Sequence, residues 1–240
     1  MRRPSEPSPP RAEIEARTLA ARWRASRWAA AAEIAIIVAL VAGDYYGVVP
    51  VTSTPFFLLL GWFSLRLRGL RWRDVGFVRP PHWPRALAVG TLAGIAMELF
   101  SRFVTVPLLS QLTGAPPDLS EFRSTVGNVQ LLLFWLVLNW TLAAFGEELS
   151  FRGYVMNRLA DLGRAGRGAW LMSLVVASAL FGWGHGGQGL TGMLQEGFAG
   201  FLLGILYLWC GRNLTVPIVA HGVSNSLAFV LIFFDRYPGV

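Results

Sequence analysis

The stretch NVQLLLFWLVLNWTLAAFGEELSFRGYV, residues 128–155, opens as an apolar run and ends in charge. A helix of ~20 apolar residues crosses the ~30 Å hydrocarbon core of a bilayer. Glu147, Glu148 and Arg152 follow directly, where ionisable side chains are costly unless they pair or serve a function. The stretch therefore predicts a membrane helix that carries a polar site.

The rest of the chain repeats the apolar pattern. Hydrophobic residues make up 54% of it and charged residues 15%, against ~25% charged in soluble domains. We expect an all-α, polytopic membrane helix bundle of about seven transmembrane helices, and six if the short run 54–66 does not span. The further predicted spans are 28–49, 54–66, 85–109, 169–188, 192–210 and 214–234.

The domain organisation follows from these runs. A cleavable signal peptide is the alternative to a first span, but the charged leader is long and Glu33 interrupts the apolar run. We expect a basic, partly disordered cytoplasmic N-terminal segment (1–27), N-terminal membrane helices (28–127), membrane helices with the site (128–234) and a short tail (235–240).

All 21 basic residues are arginine. With a cytoplasmic N-terminus, 18 of the 21 fall in predicted cytoplasmic segments, as the positive-inside rule requires. Because the arginines flank apolar runs instead of following one polar face, nucleic-acid binding is not expected. Arginine in place of lysine, with many Ala and Gly, suggests a GC-rich bacterium and its inner membrane.

Several polar residues lie inside predicted spans. Glu98 and Arg102, four apart on one helix, are expected to neutralise each other. Glu33 is expected at the membrane interface, and Glu196 either lines the interior or lies apart from any site. Cys210, the only cysteine, is interpreted as a small apolar residue near a helix end.

Glu147 and Glu148 are expected to have different roles. Glu148 and Arg152 share a helix face and can form a charge-assisted pair. Glu147 is rotated by about 100° from Glu148, so it can point elsewhere. One carboxylate is then held by arginine, and the other is free for chemistry.

Two histidines and an asparagine follow in the same half of the chain. His221 and Asn225 share one face of the last helix. If the chain reverses at 163–168, Glu147 and His185 lie at similar depth, ~28 Å from the turn. His221 reaches that depth only if the hairpin around this turn projects beyond the bilayer into the cytoplasm.

Two expectations about packing and access go with this geometry. The site should open toward the cytoplasm, because hydrolysis needs water and a polar peptide. Gly200 and Gly204 form a small-xxx-small pair, and we expect the His221 helix to pack against it.

Three motifs in this order resemble one known family: Glu147-Glu148-x-x-x-Arg152, Phe181-x-x-x-His185 and His221-x-x-x-Asn225. They are similar to those of the CAAX prenyl endopeptidase and bacteriocin-processing membrane protease family (CPBP, type II CAAX proteases). Flanking residues also match, and the resemblance covers about residues 128–230.

The resemblance implies an intramembrane glutamic endopeptidase without a cofactor or bound metal. Glu147 would be the general base and His185 would help to position the water. His221 and Asn225 would donate hydrogen bonds to the oxyanion, and Glu148 and Arg152 would support Glu147. The partners would be the bilayer and a peptide or lipidated (prenylated CAAX-type) protein substrate.

Other functions remain open from the residues. His, His and Glu also suit zinc, although no His-Glu-x-x-His helix is present. A non-catalytic scaffold, an immunity protein or a proton-coupled transporter could use the same buried groups.

Overall fold

The apolar runs form helices joined by short turns in the computed structural model, which describes residues 11–49 and 52–240. Residues 1–10 of the predicted N-terminal segment, and with them part of its predicted disorder, lie outside the described part. The helices are α1 (Arg11–Ala25), α2 (Arg27–Tyr45), α3 (Thr54–Leu67), α4 (Trp83–Phe100), α5 (Val106–Thr113), α6 (Val129–Leu138), α7 (Met156–Leu162), α8 (Arg167–Gly184), α9 (Gly189–Trp209) and α10 (Thr215–Phe233).

Two π-helical segments join neighbouring helices. Ser101–Thr105 connects α4 to α5, and Asn139–Val155 connects α6 to α7. The second contains both glutamates and the arginine of the first motif. π-Helical turns often mark functional sites, and here they change which side chains share a face.

The fold is an all-α polytopic helix bundle, as predicted. Among the described helices, five segments are long and apolar enough to cross a membrane: Arg27–Tyr45, Trp83–Thr113, Val129–Leu162, Gly186–Trp209 and Thr215–Phe233. Thr54–Leu67 is a shorter apolar helix, and α8 is not among the five. The predicted number of seven spans is therefore not confirmed.

The bundle has two distinct ends. We call the end formed by residues 68–82, 163–166 and 210–214 the arginine end. We call the end formed by residues 114–128, 185–188 and 234–240 the cavity end. Backbone hydrogen bonds tie the cavity-end loops together, from Asp118 to Gln188 and from Leu119 to Gly239.

Glycines on α4 set the position of α10. A Cβ added at Gly94 would lie 2.5 Å from the Ala220 carbonyl oxygen, and one at Gly90 would lie 2.6 Å from Val219 Cβ. Such small-xxx-small pairs allow close backbone approach inside a membrane. This contact fixes the helix that carries His221.

The predicted partner of Gly200 and Gly204 was wrong. A Cβ at Gly200 would meet Phe181 and Arg152, and one at Gly204 would meet Leu174. Because α8 and α9 are joined by a very short turn, they pack side by side, and α8 takes this face. α10 instead packs against the glycines of α4.

Glu33 faces the protein interior instead of the predicted interface. Its carboxylate pairs with Arg68 at 3.0 Å and accepts hydrogen bonds from Ser64 (2.7 Å) and Tyr154 (3.1 Å). Arg68, fully buried, also donates to the Trp23 carbonyl at 3.2 Å. The cluster ties α1, α2 and α3 to the π-helical segment near the arginine end.

The hairpin around residues 163–166 extends past the start of α10. The Leu214 amide donates to the Gly76 carbonyl at 3.0 Å, and the Leu214 side chain lies against Gly153. α10 therefore begins level with Gly153, and α7 continues beyond it. This is the relative placement that was expected if Glu147, His185 and His221 lie at similar depth in the bundle.

Candidate active site

Arg152 neutralises Glu148 inside the bundle. Its Nη1 lies 2.8 Å from Glu148 Oε1, and both side chains are buried. Nη2 donates to the Gly200 carbonyl at 2.7 Å, and the guanidinium lies 4.8 Å from the Phe181 ring centre. The expected ion pair is present, and the absence of a side chain at Gly200 makes room for it.

His221 stands between the two glutamates. Its Nδ1 lies 2.9 Å from Glu148 Oε1, and its Nε2 lies 3.9 Å from Glu147 Oε2. Because an ionised carboxylate only accepts hydrogen bonds, Nδ1 carries a proton. The separation of 3.9 Å is too long for a hydrogen bond, so Nε2 remains available.

Glu147 differs from its neighbour in exposure. The Glu147 side chain is 16% exposed and that of Glu148 is 0%. Glu147 lines the cavity described below, whereas Glu148 points into the packed interior. The two adjacent carboxylates therefore have different surroundings, as the helical rotation between them predicted.

His185 ends α8 with its ring fixed by the backbone. Nδ1 lies 2.8 Å from the Phe181 carbonyl oxygen, so Nδ1 donates, and in the neutral ring Nε2 is an acceptor. The Phe181 ring lies 4.7 Å from the His185 ring and 6.2 Å from the His221 ring, centre to centre. Phe181 is thus a shared support for both imidazoles.

One cavity of about 590 Å³ brings the motif residues together. Glu147, His185, His221 and Asn225 all line it, and so does Glu196, whose placement the sequence left open. A separate space of about 20 Å³ beside Glu196, His221 and Asn225 has room for one water molecule. The arrangement places carboxylates, imidazoles and an amide around one space.

The cavity extends to the loops that form the cavity end of the bundle. Glu121 and Gly187, both exposed, belong to its lining and to the loops there. Phe100 and Phe198, also lining residues, are exposed on the outer side of α4 and α9. The arginine end lies on the opposite side of the bundle from the mouth of the cavity. The two predictions, that the N-terminus is cytoplasmic and that the site opens to the cytoplasm, are therefore incompatible with each other.

Glu98 and Arg102 do not form the expected pair. Among ion pairs of the described residues none joins them, and Arg102 Nη1 is buried without a hydrogen-bond partner. The reason is the π-helical turn that begins at Ser101, which changes the spacing after Glu98. Glu98 Oε2 instead accepts from Ser224 at 3.4 Å, and Arg102 lies 5.9 Å from the Tyr237 ring.

Sequence reasoning missed several polar residues of the cavity wall. Asn139 donates to the Gly222 carbonyl at 2.9 Å and to Ser226 at 3.1 Å, which joins the π-helical segment to α10 beside His221. Gln195 donates to Ser101 at 2.8 Å and joins α9 to the end of α4. In the sequence, each of them could have been noticed as an amide side chain in an otherwise apolar helix.

Tyr237 was missed for a different reason, because it lies in the short tail after α10. Burial, and then the neighbouring Glu98 carboxylate, raise the pKa of its phenol. The hydroxyl therefore keeps its proton and can donate to Glu98. No pattern in the sequence placed this residue beside the cavity.

The zinc alternative requires several donors around one point. Among the residues that the structure describes, no group of three or more His, Cys, Asp or Glu side chains is placed to hold a metal ion. Glu148 is instead engaged with Arg152 and with His221 Nδ1.

Residues 129–227 match a family model described as Type II CAAX prenyl endopeptidase Rce1-like. This part of the chain is Rce1-like. The resemblance recognised from the three motifs is therefore confirmed over these residues. No curated protein and no solved structure matches the chain.

The Rce1-like segment includes each motif residue that lines the cavity. It begins at α6 and ends within α10, so α1 to α5 lie outside it. Glu98, Glu121 and Tyr237 therefore complete the cavity from outside the matched segment. The family match therefore covers the motif residues of the cavity wall and leaves these three residues outside it.

Proposed function

We propose that the chain is an intramembrane endopeptidase in which Glu147 activates water for attack on a peptide bond. The observation that carries the proposal is the contrast between the two glutamates. Glu148 is neutralised by Arg152 and buried, while Glu147 faces a polar cavity with His185, His221 and Asn225. This is the expected arrangement for a general base beside groups that hold the reacting atoms.

The water is held between Glu147 and His185. Glu147 takes one of its protons as the water oxygen bonds to the carbonyl carbon. His185 Nε2, left as an acceptor by the contact of Nδ1 with Phe181, accepts a hydrogen bond from the other proton. Glu147 then passes its proton to the amine nitrogen as the C–N bond breaks.

His221 and Asn225 stabilise the oxyanion. Since Nδ1 of His221 donates to Glu148, its Nε2 donates only when the ring is protonated on both nitrogens. The Asn225 amide, one turn along α10, supplies a second donor, and one donor of this kind contributes ~10²–10³ in rate.

The substrate is a peptide segment, free or attached to a lipid. The exposed rings of Phe100 and Phe198 border the cavity on the outer side of the bundle. An apolar or lipidated part of a substrate can contact these rings, while the scissile bond reaches the polar groups. Prenylated CAAX-type proteins and unmodified peptides are both compatible with this arrangement.

Glu147→Gln tests the proposal, because it removes the base and nearly preserves the shape of the side chain. We expect turnover of a panel of prenylated and unprenylated peptides to fall by about 10²–10⁴, with unchanged membrane insertion and melting temperature. Asp74→Asn, the same change near the arginine end, should leave turnover intact. The measurement is cleavage by detergent-purified protein, with and without chelator.

Three outcomes would argue against the mechanism. A folded Glu147→Gln variant with wild-type turnover would exclude Glu147 as the base. Wild-type turnover lost to chelator and restored by zinc would favour the zinc enzyme. Folded wild-type protein that binds peptides without cleaving them would favour a non-catalytic scaffold.

A further inference from the structure

Apart from His185, His221 and Tyr237, the ionisable residues that line the cavity are acidic. Five of the chain's 14 acidic residues line it, whereas none of the arginines in the described part does. The chain as a whole has a net charge of +7. The five lining residues are Asp44, Glu98, Glu121, Glu147 and Glu196.

Glu98 has an oxygen without a partner inside this cavity. The residue is 5% exposed, and its Oε1 is buried with no hydrogen bond. Glu196 lies close enough to interact electrostatically with both Glu98 and Glu147. Neighbouring carboxylates away from water repel each other strongly, and a cation between them would relieve the repulsion.

The wall on the side of α6 and α10 is aromatic. The rings of Trp135 and Phe229 are stacked at 6.0 Å with 5° between their planes, and Phe122 meets Trp135 edge-on at 5.0 Å. All three residues line the cavity. Aromatic faces attract ammonium and guanidinium groups, so this wall and the carboxylates favour the same kind of ligand.

We propose that the cavity binds a cationic segment of the substrate, a stretch of peptide that contains Lys or Arg. This rests on the proposed function and names the substrate class of the same site. The ammonium or guanidinium group binds Glu98 and Glu196, and the adjoining backbone reaches Glu147. The substrate is thus chosen by its positive charge in addition to any apolar part.

The mouth of the cavity supports the same selection. Glu121 is exposed there, and Asp44 lies nearby, with Oδ2 accepting from the Ser53 hydroxyl at 2.6 Å. Negative charge at the entrance of a cleft raises the local concentration of cationic ligands and their rate of association. Association should therefore weaken as ionic strength rises.

The test measures binding without cleavage. Fluorescent peptides of one length, with two lysines or with two norleucines in their place, are titrated into the detergent-solubilised Glu147→Gln variant. We expect the lysine peptide to bind at least about tenfold more tightly, and less tightly in high salt. Adding Glu98→Gln and Glu196→Gln should remove the preference, whereas adding Asp74→Asn should leave it.

Equal affinity for the two peptides, or a preference that survives both added substitutions, would overturn the inference. If the triple variant does not fold, Glu196→Gln on the Glu147→Gln background is measured instead. An unchanged preference for the lysine peptide in that double variant would also overturn the inference. Turnover by the wild type separates the two proposals. If the wild type cleaves peptides and binding does not depend on charge, the peptidase proposal stands and the cationic subsite is rejected. If binding depends on charge and no peptide is cleaved, the cationic subsite stands and the peptidase proposal is rejected.

Discussion

Glu147 and Glu148 are adjacent residues with opposite surroundings. Glu148 contacts Arg152 at 2.8 Å and His221 at 2.9 Å and is fully buried, whereas Glu147 faces the cavity. Burying a charge is tolerated only when a partner and hydrogen bonds compensate it. Arg152 is therefore a positioning residue, which keeps Glu148 in place to hold the His221 ring.

Replacing Arg152 by Met should destabilise the protein, because it leaves the Glu148 carboxylate buried without its cation. Breaking a buried pair in this way costs about 3–5 kcal/mol, which corresponds to a melting temperature lower by on the order of 10 °C. Thermal unfolding in detergent measures the change. Arg167→Met, at an exposed arginine, is the matched control.

A second substitution tests the cause. Glu148→Gln in the Arg152→Met background removes the uncompensated charge, so part of the lost stability should return. If the double variant is no more stable than Arg152→Met, then Arg152 acts through its packing on Phe181 and not through its charge.

At the scale of the elements, the position of α10 depends on the glycines of α4. Gly94 faces the backbone of Ala220, the residue before His221, and a Cβ there would also lie 2.9 Å from Val223 Cβ. Any side chain at this position must push α10 away. The cavity, the His221 ring and its contact with Glu148 would move with it.

Gly94→Ala should cost about 1–3 kcal/mol, the usual penalty of overpacking, and should lower turnover more than it lowers peptide binding. Gly168→Ala is the control, because a Cβ at Gly168 would have no atom within 4 Å. Its stability should stay equal or rise slightly, since glycine disfavours helices. A Gly94→Ala variant with wild-type melting temperature would show that α4 and α10 can separate freely.

The sequence predicted the parts of the fold that follow from local periodicity. The helices, the Glu148–Arg152 pair and the different direction of Glu147 all depend on spacing along one segment. The failures depend on other segments or on irregular turns. Gly200 and Gly204 could have met any neighbouring helix, the π-helical turn at Ser101 separated Glu98 from Arg102, and Tyr237 reached the cavity only through the path of the tail.

At the scale of the whole molecule, the arginine end and the mouth of the cavity lie on opposite sides of the bundle. Residues 68–82, 163–166 and 210–214 form the arginine end, and Glu121 and Gly187 mark the cavity end. The positive-inside rule favours the arginine end in the cytoplasm. The cavity would then open on the other face of the membrane, and cytoplasmic prenylated proteins would not reach it directly.

Labelling of single cysteines tests this orientation. In a Cys210→Ala background, we expect Ser124→Cys to react with a membrane-impermeant maleimide on intact cells. Gly166→Cys should react only after permeabilisation. Both positions are exposed, and a Cβ at Gly166 would have no atom within 4 Å. The reverse pattern would place the arginine end outside and open the cavity to the cytoplasm.

The contact between His221 and Glu148 also has a consequence for biosynthesis. These two residues are 73 positions apart in the chain, and His221 lies on the last helix, α10. During synthesis the two glutamates enter the membrane well before the imidazole that separates them. Until α10 inserts against Gly90 and Gly94, His221 and Asn225 are missing from the cavity wall. The proposed mechanism therefore predicts that a nascent or truncated chain does not hydrolyse proteins that are inserting beside it.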